Sequence, residues 1–568
     1  MNWVKSVNLK NKYQILNEIK LKLVYINLNH GIVSYVKLEY KPIRILIFFC
    51  IIFLYISFFW KNFANIISPT HDVLWNTPTA ALIIGDLRFQ VYEPGIVDIL
   101  GKQIPIISGP YLGALKSYIL SIFFLTNNYV AANYLLNQIL FALVVVITTL
   151  IVRFFASTKY AILSSFLFVL STGYLFSASQ DYGPYLLGTL LILISLLLHL
   201  HQKNNLIIFI ASIICLGLAI NDKLTIIPLA IPLIVYYFYE IIYSKRCILK
   251  IFMMFTILFL MIINYIYYFI NYGFSDLLNM VGKNDIGSMF TLTNFIDQIN
   301  AFIVSSIYFS NSYLYSAYFG IPINNLHIRL IYLSLIIYII LLFWFIFSKS
   351  PKPLKFLIVW FPCSFFINTL MNPRPWHWMP LVPIFILSIV FISQFIFNQF
   401  NLKIKTKNIV SILFFAFTLI LTLNRDTTLY NNAQRGGQGI ASPALIKLAE
   451  SLDISGNKFN LVCLNYSICQ PLLALSNNKN ISVYDDYSFS NVLDWKSNFD
   501  RYTNCEFLII GREGKNEVSD FYSSLLYQNT NYLLSSSSLR NRFQVSKIML
   551  DDGNKSLNLY RPIGCQKL

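Results

Sequence analysis

The sequence predicts a polytopic α-helical membrane protein of about eleven transmembrane helices, with a large first outer loop and a small C-terminal α/β domain. Three observations predict it. Of 568 residues, 56% are hydrophobic, 16% aromatic and only 12% charged, and the apolar residues come in long blocks. Basic residues cluster in short segments between those blocks. Beyond residue 425 the chain turns polar, Ser/Asn-rich and β-rich in short runs. A formal charge of +18 would suggest nucleic acid in a soluble protein; here the positive-inside bias accounts for it, and no nucleic-acid partner is expected. Walker, G-x-G-x-x-G, H-E-x-x-H and G-x-S-x-G motifs are absent, so ATP-driven transport and cofactor chemistry have no support.

Residues 1–43 form a basic tail, with Lys5, Lys10, Lys12, Lys20, Lys22, Lys37 and Lys41 and no small-residue cleavage site. An uncleaved first span with a cytoplasmic tail is expected. Apolar runs long enough to span lie at 44–60, 129–152, 160–178, 184–200, 205–220, 224–243, 248–271, 327–348, 354–371, 378–398 and 408–424. A twelfth run, LGALKSYILSIFFLT at 112–126, is shorter, carries Lys116 and follows Gly109-Pro110. The basic residues arbitrate. With eleven spans the inner loops hold Arg153 and Lys159; Lys203; Lys245, Arg246 and Lys250; Lys349, Lys352 and Lys355; and Lys403, Lys405 and Lys407, with no Asp or Glu. A twelfth span would put them outside or flip the Lys-rich N-terminus, so 112–126 is read as a juxtamembrane amphipathic helix at the outer interface. Segments 61–128, 179–183, 221–223, 272–326, 372–377 and the tail from 425 are then outer.

In the tail, SPALIKLAESLDI reads as a helix, FNLVCLNYS and NISVYDD as strands, and CEFLIIGREG as a buried strand ending in a turn. Asp-Gly between two β-rich runs in FQVSKIMLDDGNKSLNLYRP signals a hairpin. Cys463, Cys469, Cys505 and Cys565 permit two disulfides in an oxidising compartment, or four buried thiols.

Ionisable residues collect at the outer ends of spans, where they are costly and tend to be functional. The first outer loop offers Asp72 in SPTHDVLWN, then Asp86, Arg88, Glu93, Asp98, Lys102 and Lys116. SQDYGPY carries Asp181, INDKLT carries Asp222 and Lys223, and MNPRPWHWMP carries Arg374 and His377. Topology explains the basic inner turns but not acids in the outer ones. Each alone is ordinary turn polarity; together they read as a site. Arg374 is a planar fork suited to a lipid phosphate. His377, between two Trp, also fits an aromatic interface belt.

The arrangement over 44–424 resembles the GT-C glycosyltransferases, in particular the branch holding protein O-mannosyltransferases and the aminoarabinose transferase of lipid A. The matching elements, in order, are Asp72 in the first outer loop, SGPYLGALKSYIL with Tyr111, QDYGPYLLGTLL with Asp181, LGLAINDKLTIIPL with Lys223, and PRPWHWMPLVPI with Arg374. In place of the usual Asp-Glu pair the first loop has His71-Asp72, which leaves Asp86, Glu93 and Asp98 as rivals. The tail matches nothing. The resemblance implies a GT-C fold in a bacterial inner membrane, with the C-terminal domain outside. It implies a polyprenyl-phosphate-linked sugar donor, membrane lipids as partners, and inverting transfer to a glycolipid, polysaccharide or protein acceptor. Asp72 is then the general base; Lys223, Arg374 and His377 stabilise the leaving phosphate; Asp181, Tyr111 and Glu93 bind substrate. No cofactor is expected: scattered carboxylates suit Mg²⁺ or Mn²⁺, but no DxD-like pair stands in an outer loop. A lipid-linked-sugar flippase is the main alternative, but internal repeats and mid-membrane charges are lacking. A polysaccharide polymerase or ligase would place more arginines outside, and a receptor needs no eleven-span anchor.

Overall fold

The structure, a computed structural model, describes residues 42–64, 74–109, 112–124, 128–170, 181, 184–202, 205–243, 247–272, 339–340, 342–347, 352–370, 375–399, 444–464, 468–486, 502, 504–512, 541–549 and 556–565. The expected basic tail, the 408–424 span and nearly all of the 272–326 loop lie outside them. The chain divides into two units, 1–50 and 51–568. Only the start of helix α1 (Pro42–Ala64) belongs to the described part of the first.

Apolar runs fold as helices because lipid offers no partner for a backbone N–H or C=O. After α2 (Thr77–Ile83) and α3 (Leu115–Phe123) come α4 (Tyr129–Phe155), α5 (Thr158–Leu170), α6 (Leu186–His201), α7 (Leu206–Asp222), α8 (Ile227–Ile242), α9 (Cys247–Met261), α10 (Ile263–Tyr272), α11 (Lys352–Leu370) and α12 (Val382–Gln399). Helix α4 has 27 residues and is about 40 Å long. The Asn128 side chain caps it by accepting from the Ala131 N–H at 2.9 Å, and Arg153 sits in its last turn, where the helix dipole favours a cation. Helix α6 packs against α4 and α7, α7 against α9, α8 against α11, and α12 against α4, α5 and α11. Among the described residues, the three segments Tyr129–Phe155, Leu224–Ile242 and Trp378–Phe395 are long and apolar enough to cross a membrane; α9 with α10 makes a fourth, bent by 49°. The chain is a polytopic helical membrane protein.

That bend corrects one expectation, a continuous span over 248–271. The Asn221 side chain donates to the Met261 carbonyl, and the Tyr265 N–H turns to the Ile262 carbonyl at 3.0 Å. A side chain from α7 has entered the hydrogen-bond ladder, a recognised cause of kinks.

Between α2 and α3, β1 (Ile96–Ile99) and β2 (Lys102–Pro105) form an antiparallel hairpin turning at Leu100 and Gly101, with φ of 55° and 76°. Short strands β3 (Ile107–Gly109) and β4 (Leu112–Gly113) lead into α3. The predicted 112–126 helix is this nine-residue α3, about 13 Å long and too short to span.

The C-terminal region contains α13 (Ala444–Ser455), β5 (Phe459–Cys463), α14 (Cys469–Leu475), β6 (Ile481–Asp486), β7 (Phe507–Arg512), β8 (Phe543–Met549) and β9 (Ser556–Pro562). One sheet runs β6-β5-β7-β9-β8, with β5 parallel to β6 and β7 and the β9 pairs antiparallel. Its core is Val462, Leu464, Tyr502, Ile509, Phe543 and Tyr560. The strands flanking Asp-Gly do pair, from Phe543 opposite Pro562 to Met549 opposite Ser556. Of the turn read at 511–514, Gly511 and Arg512 instead continue β7, because they face Asn558 and Leu557 of β9, and the other two residues lie outside the described residues. Disulfides join Cys463 to Cys469 and Cys505 to Cys565. The region rests on the segment between α2 and β1, where the Val483 N–H donates to the Arg88 carbonyl at 3.0 Å.

Candidate active site

The N-terminal ends of α4 and α6 and the C-terminal end of α7 meet α3 in a buried polar layer. Glycine 113 sets the approach: a Cβ there would stand 2.1 Å from the Asn221 carbonyl oxygen, so only glycine lets β4 lie against the end of α7. Leu112 bridges to Lys223, and α3 starts two residues on. Lys116 then points inward, only 2% exposed. Its Nζ forms an ion pair with Asp181 and donates to Asn137 Oδ1 at 2.9 Å. Asp181 is fully buried, with φ of 49°. That left-handed backbone, tolerated by Asp more than by most residues, accompanies a carboxylate turned onto the start of α6: Oδ1 accepts from the N–H groups of Tyr185 at 2.7 Å and Leu186 at 2.9 Å.

Asp222 and Lys223 close the layer from the end of α7, both buried. The Asp222 carboxylate accepts from the Lys116 backbone N–H and feels the charges of Lys116, Asp181 and Lys223. Two acids and two bases thus share one dry layer, where Coulomb forces are strong. Around them Ser117 donates to Asn76 Oδ1 at 3.1 Å and pairs with Ser108 at 2.8 Å. The Asn133 side-chain amide donates to Thr77 at 2.9 Å. Asn137 Nδ2, Asn133 Oδ1 and Thr189 Oγ1 are buried without a hydrogen-bond partner among the described residues. Such spare capacity in a buried polar layer calls for an explanation, and a polar substrate supplies one.

Of the predicted site residues, the structure brings Asp181 and Lys223 together. It joins to them Lys116 and Asp222, which the sequence reading counted among the outer ionisable residues without giving either a role, and adds Asn137, which it did not single out. A lysine inside an otherwise apolar amphipathic helix and a carboxylate at a span end were the available signals. Glu93 is exposed in the 3-10 turn Glu93–Gly95 and is not among the groups bonded to Lys116 or Asp181. His377 lies in the 3-10 stretch Pro375–Leu381. Asp72, Tyr111 and Arg374 lie outside the described residues.

The rivals to Asp72 have local duties. Asp98 is exposed and accepts from the Gly101 N–H at 2.8 Å across the hairpin turn. Asp86 binds Arg88 through Nε at 3.0 Å and Nη2 at 2.8 Å, and also accepts from the Tyr129 hydroxyl. Burial pushes the Asp86 carboxyl up, but the hydrogen bonds from Arg88 and Tyr129 outweigh it and hold the group below its ordinary range. Among the described residues, no cluster of three or more His, Cys, Asp or Glu is placed to hold a metal ion.

No family model and no curated protein sequence matches the chain. Solved structures do, among them two of one protein. The crystal structure of ArnT from Cupriavidus metallidurans bound to undecaprenyl phosphate is similar with a TM-score of 0.54 and 9% identity, over 92% of this chain and 99% of that one. The apo state of the same protein gives 0.53 and 9%, over 90% and 97%. At that identity the likeness is one of fold, and at the level of fold it agrees with the GT-C resemblance drawn from the five sequence elements: this chain has an ArnT-like fold along nearly its whole length.

Proposed function

We propose that the chain is a membrane glycosyltransferase of eleven spans that moves a sugar from a polyprenyl-phosphate donor to an acceptor on the outer face. The observation that carries the reading is the buried Lys116–Asp181–Asp222–Lys223 layer in a fold shared with ArnT, whose structure holds undecaprenyl phosphate. An acceptor hydroxyl or amine attacks the anomeric carbon, the bond from that carbon to the phosphate oxygen breaks with inversion, and the lipid phosphate leaves with the electron pair. Asp72 takes the acceptor's proton. It stands four residues before Asn76, which is hydrogen-bonded into the layer through Ser117. Arg374, Lys223 and His377 offset the charge gathering on the phosphate. Asp181, with Lys116 and two backbone N–H groups already on its carboxylate, is a positioning residue: it holds Lys116 and the start of α6 in place. The acceptor and the sugar are left open by these residues.

Two disulfides in the C-terminal region suit an oxidising, non-cytoplasmic compartment. That supports the outer placement of the region and, with acid-free inner loops, the proposed orientation.

The test reconstitutes purified protein with radiolabelled polyprenyl-phosphate sugar and crude envelope acceptors. Asp72→Asn is expected to lower transfer by roughly 10²–10⁴-fold, the usual worth of a general base. Glu506→Gln, which removes only an exposed pair with Lys458, is expected to keep it. Transfer that survives both Asp72→Asn and Arg374→Ala overturns the site.

A further inference from the structure

A second polar cluster lies at the opposite end of the same bundle. Following α6 from Tyr185 to His199 covers about 20 Å, from the buried ion pair to a cavity of about 400 Å³. His199, Gln202, Tyr236, Glu240 and Lys250 line it with the rings of Phe154 and Phe155. His199 is 2% exposed and stacks on Tyr237 at 3.8 Å between centroids.

The charges in this cavity are unevenly matched. Glu240 is engaged, with His199 Nε2 at 3.4 Å and the Tyr236 hydroxyl donating at 2.9 Å. Lys250 is 5% exposed, yet among the described residues no carboxylate reaches its ammonium. What it meets is the face of Phe209, at 5.4 Å. Glu240 lies near enough for its carboxylate to feel the Lys250 charge but makes no ion pair with it; a buried ammonium held at that distance from its acid is unfavourable, and an anion entering the cavity relieves it. Gln202 adds a second unmet need: its Oε1 is buried with no donor. The helices around the cavity carry further cations, Arg153, Lys352 and Lys355, and Glu240 is the one acid on their described cavity-side ends. A ligand that answers both needs carries a phosphate for Lys250 and a hydroxyl for Gln202. Its setting, at a helix-bundle end rimmed by aromatic rings and basic residues, is that of a membrane interface.

We propose that this cavity binds the headgroup of an anionic lipid that bears a phosphodiester and free hydroxyls, on the membrane face opposite the transfer site. The site needs neither donor nor acceptor, so its test stands apart from the proposed transfer.

Purified wild type, Lys250→Gln, Lys250→Arg and Gln202→Leu are exposed to mixed micelles of phosphatidylglycerol, phosphatidic acid and phosphatidylcholine, and retained lipid is counted by native mass spectrometry. Wild type is expected to retain phosphatidylglycerol over phosphatidylcholine. Lys250→Gln is expected to lose roughly tenfold or more of that retention, the worth of one charge-assisted hydrogen bond. Lys250→Arg, which keeps the cation, retains the lipid and shows that the fold survives change at this position. Gln202→Leu is expected to lose the preference for phosphatidylglycerol over phosphatidic acid, which lacks the headgroup hydroxyls. Equal retention of phosphatidylglycerol by Lys250→Gln and wild type overturns the proposal. So does stabilisation by soluble glycerol 3-phosphate as strong as that by the lipid, which would assign the cavity to a free phosphate.

Discussion

Lys116 and Asp181 are 65 residues apart in sequence and have side chains 3% and 0% exposed. Removing one member of such a pair leaves a buried charge alone, at a cost of about 3–5 kcal/mol. Lys116→Met is therefore expected to lower the unfolding temperature sharply in a scanning measurement on detergent-solubilised protein, and to abolish transfer. Adding Asp181→Asn removes the stranded charge while an amide oxygen still accepts from Tyr185 and Leu186. The double variant is expected to regain most of the stability and none of the transfer. Equal stability of the single variant and wild type would show that Asp181 does not depend on Lys116. Asp181 and Lys223 were legible in the sequence because acids and bases stand out at the ends of apolar runs. Lys116 was legible as a charge in the first loop and as a mark against a twelfth span, but it was given no partner and no role. Its partner is set by which loop folds back on which helix, and residue types do not state that.

At the scale of the element, helix limits were legible to within a few residues: 129–152 became Tyr129–Phe155, and 354–371 became Lys352–Leu370. Hydropathy reports where a backbone must satisfy itself, and that is a local property. The break after Met261 was not legible, because its cause is Asn221, 40 residues earlier. The close approach at Gly113 was hidden for the same reason. Gly113→Ala would press a methyl group against the Asn221 backbone, which cannot swing aside as a side chain can. The variant is expected to shift the loop ahead of α3, loosen the Lys116 N–H from Asp222, and lose transfer with helix content unchanged by far-ultraviolet circular dichroism. Full transfer in Gly113→Ala would mean that the layer tolerates this displacement.

Across the whole molecule, the C-terminal region is tied to itself and to the segment around Arg88 and Gln90. Two disulfides close spans of very different length, with sequence separations of 6 for Cys463–Cys469 and 60 for Cys505–Cys565. By loop-closure entropy the longer is worth roughly 4 kcal/mol and the shorter roughly 2 kcal/mol. Replacing Cys505 and Cys565 by Ala is expected to sensitise the region to limited proteolysis more than the same change at Cys463 and Cys469. The reverse order would rule out chain entropy as their main contribution. Four cysteines in a polar tail allowed this arrangement, but three pairings were open, and the sheet decided by bringing β9 and its following turn beside the start of β7.

The sequence by itself determined that this is a membrane protein and, within a few residues, where most of its described helices begin and end. Both follow from the free energy of moving short runs of residues between water and lipid, which needs no knowledge of neighbours. Only the tertiary structure decided that Lys116 meets Asp181, that Asp222 lies over the start of α3, and that Lys250, among the described residues, makes no ion pair at the other end. Those outcomes depend on long-range contacts inside a low-dielectric core, where a shift of a few ångströms turns a stranded charge into a paired one.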